Sequence, residues 1–247
     1  MRSSSVLAVW FVLASSLSAQ TQPAPAPAAD PEAGFVPIFD GTTLNDWDGD
    51  PQYWRVEDGT IVGEITPETV VKRNTFIIWR GGQPADFELK LEYRISTNGN
   101  SGVNYRSVQL TDAPWSLAGY QADIDGEGRG EPPFRHTGQN YEERGRTFLA
   151  RRGEIVRVDN SGLPLVTGSL GDKQALAHFI KPGDWNEYHL IARGNVFIHI
   201  LNGHVMSIVV DEDPAHRRAD GLIGVQVHVG PPMKVEYRRL RLKTLER

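Results

Sequence analysis

The sequence predicts an all-β domain, built as a two-sheet β-sandwich or jelly roll with a long loop insertion. Beyond residue 34, apolar and polar residues alternate with a period of two in several segments, which tight turns separate. Helical periodicity is nearly absent there, and only residues 172–179 favour a helical turn or two. Residues 125–182 break the rhythm, so we expect an insertion that lines one side of a functional cleft.

The first 34 residues are typical of an exported protein. Arg2 precedes an apolar run, residues 6–17, which is too short to span a bilayer, and the small residues Ser18 and Ala19 follow. We expect a signal peptide at 1–20, a Pro/Ala-rich linker at 21–34, and a single domain at 35–247. The predicted location is periplasmic or extracellular, with no transmembrane segment in the mature chain.

Composition excludes several classes of function. The 247 residues include no cysteine, so disulfides, thiolate metal sites and a cysteine nucleophile are excluded. The formal net charge is −5, and acidic and basic residues are interspersed. Because no basic stripe is present, we expect no binding to nucleic acid.

Three local patterns fix strands and their breaks. Residues 87–95 alternate between apolar and charged side chains, which is typical of a half-buried strand. Asn202-Gly203 lies between two apolar runs and predicts a β-hairpin, because a type I′ turn needs two positive φ angles. In the last strand the alternation slips at Arg238-Arg239, which predicts a β-bulge.

Three other strands each combine an apolar face with a face of amides and ionisable groups. The polar pairs are Asn104 with Arg106, Gln121 with Asp123, and Gln226 with His228. Such side chains hydrogen-bond sugar hydroxyls, and an imidazole titrates near neutral pH or binds a metal. A solvated sheet face is the alternative for each strand alone, but the coincidence over three strands favours a polar cleft.

Further candidates are weaker. Asp123 and His228 could share a metal or act as an orienting group and a base. Tyr53, Trp54 and Trp79 could stack on sugars, although buried aromatic anchors are more common. His136 lies in the irregular region, and we expect it at the surface.

Several ordered motifs resemble one family. They include Trp54-Arg-Val-Glu-Asp-Gly-Thr-Ile-Val-Gly63, Asn100-Ser-Gly-Val-Asn-Tyr-Arg106 and Gly221-Leu-Ile-Gly-Val-Gln226. With further matches over residues 35–246, they resemble the 3-keto-disaccharide hydrolase family, which has a concanavalin-like jelly roll. The chain departs from the family where Gly119-Tyr-Gln-Ala-Asp123 replaces the common Gly-Tyr-Glu-x-Gln. It also departs at Tyr237-Arg-Arg-Leu240, where the family has Phe-Arg-Asn-Ile.

The resemblance implies an enzyme that cleaves 3-keto-glycosides or 3-keto-disaccharides. Elimination across C2–C1 through an enolate would cleave the bond, and rehydration would give net hydrolysis; both outcomes stay open. It implies His228 as base or metal ligand, Asp123 as metal ligand or orienting group, and Arg106 as the charge that stabilises the enolate. The substrate hydroxyls would be bound by Asn104, Gln121, Gln226 and Tyr120.

The resemblance also bears on cofactors and partners. A divalent ion (Ca, Mn or Zn) would lower the barrier as a Lewis acid, with Asp123 and His228 as its ligands. The expected partner is a small keto-sugar or oligosaccharide. The alternative function is a non-catalytic carbohydrate-binding module of an exported glycan-degrading system, because jelly rolls carry both enzymes and lectins.

Overall fold

The structure is a computed structural model that describes residues 30, 32–126 and 136–246. The predicted signal peptide, most of the predicted linker and residues 127–135 of the predicted insertion lie outside the described residues. Residues from Gly34 onward form one compact unit. In the part of the chain that is described, no helix has the length and apolar character needed to cross a membrane.

The described chain contains one helix, α1 (Lys173–Ala177), and seventeen strands. In chain order the strands are β1 (Val36–Pro37), β2 (Trp47–Asp48), β3 (Trp54–Glu57), β4 (Thr60–Ile65), β5 (Thr75–Trp79), β6 (Phe87–Ile95), β7 (Asn100–Gln109), β8 (Leu117–Asp125), β9 (Asn140–Glu143), β10 (Thr147–Ala150), β11 (Glu154–Val158), β12 (Pro164–Ser169), β13 (Asn186–Arg193), β14 (Val196–Leu201), β15 (His204–Asp211), β16 (Leu222–Val227) and β17 (Met233–Thr244).

The strands form two sheets. The larger has ten strands in the order β12-β11-β15-β14-β13-β6-β17-β4-β3, with β1 paired to β17. The smaller has seven strands in the order β10-β9-β8-β7-β16-β5-β2. Apolar side chains from both sheets meet between them; the Tyr120 and Phe197 rings, for example, lie 4.3 Å apart. The predicted two-sheet β-sandwich is therefore confirmed, and the second face of the smaller sheet is left to build a site.

The local predictions are confirmed as well. Asn202 and Gly203 have φ angles of 48° and 81° and connect β14 to β15, as a type I′ turn requires. The register of β17 against β6 shifts between Arg238 and Arg241, and Arg239 has a φ of 51°. This bulge returns Leu240 and Leu242 to the buried face. The helical turn is α1, capped at its start by the Asp172 carboxylate.

The predicted insertion differs from the loop that we expected. Its described part adds β9 and β10 to the edge of the seven-stranded sheet, and β11 and β12 to the edge of the ten-stranded sheet. β11 pairs in parallel with β15, far along the chain, so no hairpin signal in the sequence marks that pairing. The segment therefore widens both sheets, and its β9–β10 part lies beside the polar strands.

Candidate functional site

The three strands with polar faces are neighbours. β8, β7 and β16 are consecutive in the seven-stranded sheet, which brings the predicted residues of three distant segments together. Asn104 pairs with Gln121 on one side and with Gly224 on the other, and Gly102 pairs with Asp123. Because cross-strand partners project to the same side of a sheet, these residues share the face that points away from the sandwich core.

A chain of side-chain hydrogen bonds crosses this face. The Gln226 amide Nε2 donates to Gln121 Oε1 at 3.3 Å, and Gln121 Nε2 donates to Asp123 Oδ1 at 2.8 Å. Both glutamines are buried, with exposures of 0% and 2%. The two amides therefore hold the Asp123 carboxyl from beneath, in a setting where hydrogen bonds are strong.

The motif Asn100-Ser-Gly102 has a structural explanation at this point. A Cβ on Gly102 would overlap the Gln121 amide, so only glycine leaves room for the bond to Asp123. The Ser101 hydroxyl on the opposite face donates to the Gln226 carbonyl oxygen and contacts the Tyr237 hydroxyl. Asn100 faces the open side near Asp123. Within this motif, Gly102 leaves room for the Gln121 amide on the cleft face, and Ser101 binds the Gln226 backbone from the core face.

A cleft of about 250 Å³ opens above these groups. It is lined by Asn74, Asn100, Gln121, Asp123, His136, Tyr141, Glu143, Phe148 and His228. Three of the residues predicted from the sequence, Gln121, Asp123 and His228, thus line one cleft. Its volume lies just below the usual range for drug-sized ligands, which suits one sugar ring.

The carboxyl of Asp123 has an unusual environment. Burial raises the pKa of Asp123 well above its ordinary value, and the negative charges of Asp125 and Glu143 raise it further. The hydrogen bond from Gln121 acts in the opposite direction but does not outweigh them. A carboxyl with a raised pKa in a cleft is a candidate for the group that donates a proton in catalysis.

His228 lies just beyond the end of β16, where Asn74 fixes the chain. The Asn74 Oδ1 accepts the Val229 N–H at 3.0 Å, while its Nδ2 donates to Glu143 at 3.2 Å. The His228 Nδ1 lies 2.6 Å from the Val229 carbonyl oxygen. Because a carbonyl can only accept, Nδ1 is the donor, and Nε2 is the basic nitrogen of the neutral ring.

Sequence reasoning missed the residues that β9, β10 and the turn before them bring to the cleft. His136, which we expected at the surface, stacks on Phe148 with ring centroids 5.5 Å apart, and its backbone N–H donates to Asp125. Tyr141 pairs with Gln121 across the sheet and shares its face. The alternation of Tyr141 and Glu143 was the available signal, but a four-residue strand carries little periodicity.

The expectation that Arg106 shares the cleft face with Asn104 is wrong. The register of β7 shifts between Tyr105 and Val108, and Arg106 has a φ of 42°, so a bulge turns its side chain away from the cleft. The guanidinium is fully buried and donates to the carbonyl oxygens of three residues and to Asp86 Oδ1 at 3.0 Å. Arg106 therefore has a structural role, because it holds three backbone carbonyls and Asp86 together inside the sandwich.

The other predicted substrate contacts lie outside the cleft lining. Tyr120 is fully buried on the core face, and its hydroxyl donates to Asp211 Oδ2 at 2.6 Å, so the prediction that it binds substrate is wrong. Asn104 is on the cleft side of the sheet but fully buried, with its Nδ2 3.3 Å from Ser107 Oγ. Gln226 is also buried on that side, and it reaches the site through its bond to Gln121.

The described side chains do not assemble a metal centre. Among residues 32–126 and 136–246, no three His, Asp or Glu side chains come close enough together to hold an ion. Asp123 and His228 are two protein ligands, whereas a catalytic Zn²⁺ site has three. The site therefore gives no basis for a step through a metal.

Solved structures resemble this chain at the level of the fold. A protein of Parabacteroides distasonis, provisionally assigned as a glycosyl hydrolase, aligns with a TM-score of 0.54 and 20% identity, covering 86% of this chain and 94% of that one. A Bacillus subtilis protein with a galectin-like fold aligns with a TM-score of 0.53 and 12% identity, over 81% and 90%. These likenesses agree with the concanavalin-like jelly roll predicted from the sequence.

Sequence comparisons show the family as well as the fold. A 3-keto-disaccharide hydrolase of Bacteroides thetaiotaomicron is 34% identical over 85 residues, which span 32% of this chain and only 29% of that protein. The family model described as the 3-keto-alpha-glucoside-1,2-lyase-like domain matches residues 34–243, which include every strand of the cleft. The chain belongs to the 3-keto-alpha-glucoside-1,2-lyase-like family.

Proposed function

We propose that this protein cleaves 3-keto-glycosides in the cleft above Gln121 and Asp123, by elimination across C1–C2. One observation carries the proposal: the cleft contains a carboxyl with a raised pKa and an imidazole whose basic nitrogen is defined. Family membership supports the substrate class. We further propose that the protein acts after export, as its first 20 residues predict.

The chemistry requires a base and an acid. A carbonyl at C3 acidifies the C2 proton, and the aglycone at C1 is β to the carbonyl. His228 Nε2 takes the C2 proton, and the electron pair of the C2–H bond moves into a C2–C3 enolate. The enolate then expels the aglycone as the C1–O bond breaks, and Asp123 gives its proton to the departing oxygen. Addition of water to the resulting enone would complete a net hydrolysis.

Two neighbours of Asp123 support the enolate in place of Arg106. Burial, and after it the charge of Glu143, raise the pKa of Tyr141, so its phenol stays protonated and can donate a hydrogen bond. The Asn100 amide offers further donors at the edge of the cleft. Donors that are fixed before the reaction stabilise developing negative charge without reorganisation.

An assay with 3-keto-glucosides tests the proposal, and a substrate with deuterium at C2 separates the two roles. We expect His228→Ala to lower the rate by about 10²–10⁴-fold and to abolish exchange of the C2 proton with solvent. Asp123→Asn should lower turnover by a similar factor but retain the exchange, since the base is intact. The exposed His178 provides the control, His178→Ala, which should keep full activity.

Two results would overturn this assignment. Full activity of His228→Ala would exclude His228 as the base. Binding of sugars by the wild-type protein without turnover of any 3-keto-glycoside would favour the carbohydrate-binding module instead. Release of an enone that absorbs ultraviolet light, against release of the free keto-sugar, separates elimination from net hydrolysis.

Dependence on a divalent ion stays a prediction from the family resemblance. Chelation followed by addition of Ca²⁺, Mn²⁺ or Zn²⁺ is the test, and recovery of lost activity with one ion would confirm it. Unchanged activity after exhaustive chelation would contradict it.

A further inference from the structure

A second and larger pocket adjoins the cleft at Asn74, which lines both. Its volume is about 490 Å³, roughly twice that of the cleft. We call it the tryptophan pocket, and its lining includes Gln52, Tyr53, Val70, Arg73, Asn74 and Trp115. The two spaces therefore meet at Asn74, and the larger one has the size of a second sugar ring or more.

Trp115 is held rigidly in this pocket. Its indole N–H donates to Asp48 Oδ1 at 2.7 Å, and Asp48 is paired with Arg80 at 2.6 Å. Its carbonyl oxygen accepts the Phe76 N–H at 2.8 Å. The backbone of Trp115 has a φ of 52°, which is rare for a bulky residue and persists only where the surroundings enforce it. The ring is partly exposed and fixed in position before any ligand arrives.

The chemistry of the pocket favours a sugar. Rigid aromatic rings with polar neighbours bind the apolar face of a pyranose, while amides and charged groups bind its hydroxyls. Tyr53 and Trp115 provide the rings, and Gln52 and Arg73 provide polar groups. The pocket on the other side of the cleft, beyond Glu143, has no Trp, Tyr or Phe among its described lining residues. A second sugar ring that extends out of the cleft is therefore bound more favourably in the tryptophan pocket than in the pocket beyond Glu143.

We infer that the tryptophan pocket binds the glycosyl group that leaves from C1, with Trp115 as the surface on which that ring stacks. This inference rests on the proposed function of the cleft. It assigns the keto-sugar ring to the cleft and the next ring of the chain to Trp115, with Asn74 at the junction between them.

Two substrates test the inference: a 3-keto-disaccharide and methyl 3-keto-glucoside, which lacks a second ring. We expect Trp115→Ala to raise KM for the disaccharide by about 10-fold, as loss of one aromatic stacking contact predicts, and to leave the methyl glycoside within about 2-fold. Trp185, which lies against Arg94 and Arg238 of the other sheet, supplies the control. Trp185→Ala should change neither KM value.

A second variant guards against loss of structure. Trp115→Phe keeps an aromatic face but loses the donor to Asp48, so it should retain most of the preference for the disaccharide. Equal loss on both substrates in folded Trp115→Ala, or no loss on either, would overturn the inference.

Failure of the proposed reaction is distinguishable from failure of the pocket. If the wild-type protein cleaves neither substrate, the proposed reaction is wrong, and calorimetry with ordinary disaccharides decides the pocket alone. Binding that Trp115→Ala weakens supports the pocket, whereas equal binding, or none, overturns it.

Discussion

The Gln121 side chain donates to the Asp123 carboxylate at 2.8 Å, between two residues on the same face of one strand. The nitrogen of the amide must face the acceptor, so its oxygen turns towards Gln226 Nε2 at 3.3 Å. The donors are thus ordered in one direction, towards the carboxyl. Orientation of Asp123 comes from buried amides within the sheet, while burial keeps its pKa raised.

The raised pKa of Asp123 predicts that the carboxylate lowers stability once it ionises. Because the folded-state pKa lies above the ordinary value of 3.8, ionisation costs more in the folded than in the unfolded protein. Each unit of difference corresponds to about 1.4 kcal/mol. Asp123→Asn keeps an oxygen that accepts from Gln121 but cannot ionise. We expect it to unfold at a higher temperature than wild type at pH 8.

At low pH the difference in stability between Asp123→Asn and wild type should disappear. Well below pH 3.8 the carboxyl is protonated in both the folded and the unfolded protein, so variant and wild type should have similar melting temperatures. Thermal melts between pH 3 and pH 8 measure the effect. A variant that is less stable than wild type at pH 8 would contradict the raised pKa.

Gly102→Ala should damage the site more than the fold. The added Cβ would displace the Gln121 amide, and overpacking of this kind costs about 1–3 kcal/mol of unfolding free energy. Loss of the bond to Asp123 should lower kcat well beyond the fraction unfolded. Gly82→Ala is the matched control, because its Cβ would lie 3.7 Å from the nearest atoms, in the Trp79 ring. Equal activity of the two variants would show that the Gln121 bond is dispensable.

Alternation predicted the cleft face for Gln121, Asp123 and Gln226 because side-chain direction in a regular strand has a period of two. The same reasoning fails at Arg106, because a bulge that adds one residue moves the following side chains to the opposite face of the sheet. Two glycines beside the bulge give a signal, one on β8 and one just before β16. A Cβ on Gly119 would lie 3.0 Å from the Arg106 carbonyl oxygen, and one on Gly221 would lie 2.6 Å from its carbonyl carbon. Glycines at such positions mark close backbone approach.

Other cleft residues could not be predicted from the sequence. Asn74 precedes β5, and His136 precedes β9, so neither belongs to a strand with a readable pattern. Both reach the cleft through long-range contacts, Asn74 through Val229 and Glu143, and His136 through Asp125. Spacing along the chain carries no information about such contacts, which only the folded sheet provides.

Arg106→Lys tests whether this residue is structural. A lysine keeps the charge but cannot reproduce the fork of hydrogen bonds to Ala85, Gly194 and Asp86. We expect the free energy of unfolding to fall by about 1–3 kcal/mol for each buried acceptor that loses its donor. The kcat per folded molecule should stay within about 2-fold.

A denaturant titration and an active-site count measure these two quantities. Arg157→Lys is the control: Arg157 is half exposed and paired with Glu212, so its loss should cost less than about 1 kcal/mol. A folded Arg106→Lys with unchanged stability and a 100-fold lower kcat would instead place its charge in the reaction.

The order of acid and amide on β8 gives the last prediction. The family pattern Gly-Tyr-Glu-x-Gln places an acid first and an amide second, whereas this chain has Gln121 and then Asp123. In wild type the Gln121 amide donates to the Asp123 carboxyl at 2.8 Å. Gln121→Glu alone places two carboxyls at that distance, and they cannot both ionise. Asp123→Gln alone leaves two amides and no acid. Each single variant should therefore lose activity by at least about 100-fold.

The double variant Gln121→Glu with Asp123→Gln restores one acid and one donor, in the family's order. Because the two side chains act as a unit, their effects should be strongly non-additive, and the double variant should be more active than either single variant. Turnover of a 3-keto-glucoside by all four proteins forms a double-mutant cycle that measures this coupling. Losses that simply multiply would mean that the pair does not act together, and that the carboxyl must stand at position 123 itself.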